Sequence, residues 1–158
     1  MKRNQGITFS RRGFLSLAGG ALIVSAAPAL AGGRDDDPTR MLNAFRKANG
    51  VPPVATDPTL EKAALYQAKR MATHGKMGHS IGWGEGFVAR LRQAGIHGPA
   101  AENVAEGQPD TRSVFSAWMK SPGHRRNMLD PEFGHYGLAW ARPANNPGMI
   151  YWSMVLGL

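Results

Sequence analysis

SAWMKSPGHRRNML, residues Ser116 to Leu129, runs from a helical pattern through a Ser-Pro-Gly turn to a histidine followed by two arginines. Just upstream, Asp110 offers a cap residue, and Val114, Phe115 and Trp118, with Met119 beside them, fall at helical spacing. That helix must stop before Pro122, because proline disfavours helical backbone in the residue ahead of it. His124 then stands at the restart, one of five histidines with His74, His79, His97 and His135. Its residue type leaves three roles open at this corner: a reactive group, a ligand or a cap.

Working outward, the period changes after Asp130-Pro131. HYGLAWA and MIYWSMVL read as strands rich in aromatic and β-branched residues, joined by the turn-rich RPANNPG. Upstream, AENVAEG reads as a further short strand. Phe87 to Ala94 fits a helix with Phe87, Val88 and Leu91 inward and Gly95 as its stop. Asp57-Pro58 reads as an N-cap followed by proline at the first helical position, opening a helix with Leu60, Ala63, Ala64, Ala68 and Met71 on one face. Met41 to Ala48 is a first helix, with Met41, Leu42 and Phe45 on one side, Gly50 as a left-handed stop and acidic residues before it that suit the macrodipole. Helices first and a hairpin last predict an α+β layer structure with an antiparallel sheet.

The first residues, MKRNQGITFSRRGFLSLAGGALIVSAAPALAGG, show a basic start, a short apolar run from Phe14 to Leu30, and small residues at Ala29 and Ala31. These are the parts of a secretory signal with a cut after Ala31, and Ser10-Arg11-Arg12-Gly13-Phe14-Leu15 resembles a twin-arginine export signal. The alternative, an uncleaved anchor, is disfavoured because Gly19, Gly20 and Pro28 dilute a run already short for a span of about 20 residues. The organisation expected is therefore a signal over 1–31, a polar linker over 32–40 and one domain over 41–158. No stable membrane span would remain after cleavage. The protein would be exported to the periplasm or the extracellular space.

Charge and composition narrow the function classes. The chain has 19 Lys and Arg against 11 Asp and Glu, but Lys2, Arg3, Arg11 and Arg12 lie in the signal, leaving 15 against 11. No Lys/Arg block interleaved with aromatics occurs, so nucleic-acid binding is not expected. Cysteine is absent, which excludes disulfides, thiolate metal sites and a cysteine nucleophile. The core alone must hold the fold, and about 125 residues suffice for that.

No histidine lies in a compact metal motif such as H-E-x-x-H. Two settings nevertheless stand out. Met77-Gly78-His79-Ser80 puts a histidine in a Gly-flanked loop, and Ala101-Glu102-Asn103-Val104 puts an acid ahead of an apolar segment. A buried Glu102 needs a partner, because an unpaired buried carboxylate is costly.

GHS, AENVAEG, SAWMKSPGHRRNML and the aromatic strands, in that order, resemble the CAP superfamily, the SCP-like domain of cysteine-rich secretory proteins, antigen 5 and pathogenesis-related 1 proteins. LNAFRKANGVPPVATDPTLEKAALYQAKRMA fits the opening of its short, cysteine-free bacterial branch. The resemblance covers roughly Met41 to Leu158. It implies an α-β-α sandwich with a small antiparallel sheet between helices, and a cavity whose wall carries two histidines and two glutamates. By motif, His79, Glu102 and His124 match three of these four. Ser121 stands where many eukaryotic members have the other acid, at three residues past Trp118, and Glu106 is close by but matches no motif. The resemblance thus implies a cavity of His79, Glu102, His124 and Ser121, with His79 and His124 as ligands for Zn²⁺ or another divalent metal.

The function expected is a secreted binding module for a small ligand, lipid or cell-envelope component. A metal-assisted hydrolase using His79, His124 and Glu102 is the alternative, and a structural or interaction domain with a vestigial cavity is a third reading. Catalysis is the less favoured class, since neither Ser80 nor Ser121 lies in a nucleophile-elbow motif.

Overall fold

The computed structural model describes residues 25–28, 37–82 and 86–158. Ten elements follow in order: β1 (Ser25–Pro28), α1 (Pro38–Ala48), β2 (Ala55–Thr56), α2 (Pro58–His74), α3 (Phe87–Gln93), β3 (Ala100–Glu106), α4 (Thr111–Lys120), α5 (Pro122–Met128), β4 (His135–Arg142) and β5 (Tyr151–Gly157). The twin-arginine stretch, the cut after Ala31, most of the polar linker and Trp83 lie outside the described residues.

β3, β5 and β4 form the body of an antiparallel sheet, with β5 in the middle. β2 and β1 both add to the far edge of β4, the first in parallel at its start, the second antiparallel at its end. β1 lies within the predicted signal, so cleavage after Ala31 would uncover β4 from Ala139 to Arg142.

Alternation on the strands sorts the two faces. Leu138, Trp152, Met154 and Leu156 pack with Leu42 of α1, Val114, Phe115 and Trp118 of α4 and Met128 of α5. The opposite face carries Ala139, Ala141, Tyr151 and Val155 against Leu60, Ala63, Ala64, Ala68 and Met71 of α2, with α3 packed alongside through Leu91 and Phe87. The result is the expected three-layer α-β-α sandwich. Each fully buried large apolar side chain contributes roughly 1.5–3 kcal/mol.

Local chemistry explains the helix ends. Asp37 caps α1 by accepting from Thr39 and Arg40 backbone N–H, which places its start at Pro38, ahead of Met41. Asp57 caps α2 through Thr59 and Leu60, with Pro58 at N1, and Gly75 closes it in the left-handed region. Asp110 caps α4 through Ser113. Ser121 ends α4 and begins α5 at once, with Pro122 as the first residue of the new helix. The corner is therefore a second short helix, not a bare turn.

Two positions differ from the sequence reading. Val88 points to solvent at 58% exposure, while Arg90 is buried at 4%. A hydrophobicity pattern sends arginine outward and valine inward. Here an acid within the fold reverses that order. Arg46 is also fully buried, where it donates from Nε to Pro52 O at 2.6 Å and from its two terminal nitrogens to Met128 O and Phe133 O at 2.9 and 3.0 Å. It ties α1 to the end of α5, the helix that carries His124, and burial lowers its pKa.

Candidate functional site

The GHS loop is fixed from two sides. Gln67 of α2, itself fully buried, donates from Nε2 to Gly78 O, and Arg90 of α3 donates to His79 O at 2.8 Å. With its backbone held, the His79 ring brings Nδ1 to 3.0 Å from Glu102 Oε2. The Glu102 side chain is 1% exposed and the His79 side chain 53%. Glu102 is the buried acid whose partner the sequence left open, and it has two.

Arg90 makes a fork on this carboxylate, at 3.0 Å to Oε1 and 2.9 Å to Oε2. Such bidentate pairs are strong and geometrically specific. An ionised carboxylate only accepts, so Nδ1 of His79 donates to it, and in the neutral ring Nε2 is then the acceptor. Nε2 has no partner among the described residues and lies on the half-exposed ring. A carboxylate behind the far nitrogen is the arrangement that orients metal-ligating histidines and raises their basicity.

His124 is delivered by the helix restart. Asn103, fully buried on β3, donates to His124 O at 3.1 Å and accepts from Asn127 Nδ2 at 2.9 Å. Trp118 donates to Val104 O at 3.2 Å, and its ring lies 6.4 Å from that of His124. Asn127 thus bonds across to β3, whereas Arg125 donates outward to Asn49 Oδ1 at 2.7 Å. Two side chains from α4 and α5 occupy the free edge of β3, and that docking aims His124 into a cleft of about 280 Å³ with Met77, Ser121 and Trp118.

His124 has its pKa lowered, first by burial and then by the repulsion of His79. His79 is therefore close enough to oppose protonation of His124. Glu102 and His79 stand beside this cleft, not among its lining residues. Ser121 lines it as expected. Glu106 and Gln108 line it as well, so the acid absent at Ser121 has a counterpart on β3. The sequence held a signal for Glu106, because positions 102, 104 and 106 share one face of a strand. Arg90 had a weaker one, at helical spacing from Phe87 and Ala94.

The donor set limits what can be held. Both oxygens of Glu102 face Arg90, and among the described residues no group of three or more His, Asp or Glu side chains is arranged for a metal ion. Two imidazoles would supply only two ligands of an open divalent site, not the four of a closed structural one.

The pH dependence follows from His124. Its folded pKa lies below the unfolded value of about 6.5, so the unfolded chain binds the proton more readily and stability falls as pH drops below that value. Urea midpoints should decline from pH 7.5 to pH 5, and His124→Gln should flatten the decline. An equal decline in the variant would remove His124 as its source.

Comparison with known proteins agrees with this fold. YkwD of Bacillus subtilis is 33% identical over 118 residues, covering 73% of this chain and 46% of its own length. The chain thus spans about half of that relative. An extracellular protein containing a SCP domain from Bacillus anthracis superposes with a TM-score of 0.65 at 21% identity, over 75% of this chain and 38% of that one. An outer surface protein of Borrelia burgdorferi gives 0.65 at 19% identity, over 80% and 95%. The sequence of residues 39–156 matches CAP, the cysteine-rich secretory protein family. This chain, with its α-β-α sandwich and its GHS and GH segments hydrogen-bonded to the EN segment of β3, belongs to the CAP family.

Proposed function

We propose that this protein is an exported envelope component that binds a small ligand, lipid or cell-envelope molecule at the cleft between β3 and the α4–α5 corner. The observation that carries the reading is the His79–Glu102–Arg90 chain, which holds the half-exposed His79 ring by Nδ1 and leaves Nε2 without a partner among the described residues. A buried arginine–carboxylate pair that orients one half-exposed imidazole is a costly arrangement for a surface loop, and it suits a preorganised contact group. The same two imidazoles are the residues that would hold Zn²⁺ or another divalent ion, supplying two ligands and leaving the remaining positions to water or ligand.

Calorimetry with Zn²⁺ on the wild type and on the His79→Ala/His124→Ala variant tests the pair. Binding in the wild type and its loss in the variant is expected. No binding, or equal binding, would end the two-histidine site. Export is supported by the signal-like N-terminus and by structural neighbours described as extracellular or outer-surface proteins. N-terminal sequencing of the exported protein should begin near Gly32; a start at Met1 in membrane fractions would overturn cleavage.

A hydrolase is the second reading, and Glu106 is the observation that favours it. Glu102 is committed to Arg90 and His79, so the acid on the cleft with freedom to act as a base is Glu106. Turnover of a peptide or ester that is lost in Glu106→Gln would establish this reading. A full substrate panel without turnover would leave the binding module.

A further inference from the structure

A second concavity, larger than the His124 cleft, lies on the other side of Arg90. It is a groove of about 520 Å³ between α2 and α3, with Thr59, Lys62 and Tyr66 on one wall and Arg90 and Gln93 on the other. That volume falls within the range of small-molecule sites, roughly 300–1,000 Å³. From this groove we infer a binding site for an acidic glycan, a sugar chain carrying a carboxylate.

Charge sets the first part of the assignment. Lys62 and Arg90 both line the groove, and no aspartate or glutamate does. Lys62 is exposed and makes no ion pair among the described residues. Arg70 adds positive charge beside it, stacked 5.6 Å over the Tyr66 ring and donating to the Tyr66 hydroxyl at 3.3 Å. At the floor, Arg90 uses its terminal nitrogens on Glu102 and His79, but its Nε–H is buried without a hydrogen-bond partner. A buried donor of this kind is costly without an acceptor, and Arg90 is among the residues that line the groove.

The remaining groups select the class. Thr59 brings a hydroxyl, Gln93 a carboxamide and Tyr66 a ring that is 45% exposed. Hydroxyl, amide and aromatic face together match the polar edge and C–H face of a sugar ring. Ala63 and Ala94 are the only aliphatic side chains in the lining, which is too little for an acyl chain. An extended peptide finds no strand edge there, because both walls are helices whose backbone groups bond internally.

The test compares two disaccharides of equal size, cellobiouronic acid and cellobiose, titrated into the purified chain and followed by amide NMR shifts. An acetylated triglutamate peptide is the third arm. The uronate should bind about tenfold more tightly than cellobiose, as one charge-assisted contact implies, with shifts on α2 and α3. Lys62→Met should abolish that preference, and Gln93→Ala should weaken both sugars. Equal binding of the two sugars, preference for the peptide, or no binding at all would overturn the site. The His79→Ala/His124→Ala variant should keep uronate binding, which separates this groove from the proposed cleft.

Discussion

Arg90→Met is expected to lower the unfolding free energy by about 3–5 kcal/mol, the usual cost of removing one member of a buried ion pair. The Glu102 side chain is 1% exposed and the Arg90 side chain 3%. Without the guanidinium, the carboxylate would keep only His79, and the carbonyl of His79 would lose its donor from α3. Most of the cost is therefore a buried charge left unbalanced, not the worth of the pair itself. The companion variant Arg90→Met/Glu102→Met should regain part of the loss, since an apolar pair removes the charge as well. Urea midpoints at constant m-value measure both. A single variant as stable as wild type, or a double variant less stable than the single, would contradict this account. The single variant should also weaken Zn²⁺ binding, because His79 would lose its fixed orientation.

Gly137→Ala should be at least as damaging, at about 4 kcal/mol or more. Gly137 lies on β4 directly beneath the first turn of α2, and a Cβ there would overlap the backbone of Leu60 and Glu61. Flexible side chains can move aside, but a helix backbone cannot unless the whole element lifts. The start of α2 is pinned by the Asp57 cap and by Asp57 N–H donating to Tyr136 O at 2.9 Å. The effect should exceed ordinary overpacking, which costs about 1–3 kcal/mol. Gly123→Ala is the control. Gly123 lies within α5, and a Cβ added there meets nothing within 4 Å. It should be neutral or stabilising by up to about 1 kcal/mol. Thermal melts that rank the two variants equally would rule out the close-approach explanation.

The same glycine illustrates why some of the architecture was legible. Gly137, Ala139 and Ala141 alternate with Tyr136, Leu138 and Trp140, so one face of β4 is small and the other large. Period-two alternation identifies the strand from sequence, and Asp-Pro, Gly and Asp signals identify the caps of α2 and α4 by local hydrogen bonding alone. Which helix lies on the small face depends on residues far apart in the chain. β2 was missed for a related reason: Ala55 and Thr56 are exposed, and only their bonding to β4 makes them a strand.

His79, Glu102 and His124 were named through short motifs in a fixed order, and Ser121 as the place of a missing acid; the structure bonds His79 to Glu102 and puts His124 and Ser121 on one cleft. Arg90 and Gln67 carry no comparable local mark, and Asn103 and Glu106, though inside AENVAEG, were assigned no role. Their importance comes from what they touch: a carboxylate from β3, a carbonyl from α5, a cleft, and the carbonyl of Gly78.

Sequence by itself determined the helix caps, the strand alternation, the absence of thiol chemistry and the order of the His and Glu segments, because each rests on neighbours a few residues apart. Tertiary structure alone decided that Arg90 turns inward while Val88 turns out, that His79 is held by Nδ1 against Glu102, and that Glu106 shares a cleft with His124. Those outcomes depend on where a buried charge finds its counter-charge, and that pairing exists only once α3, the GHS loop and β3 have packed together.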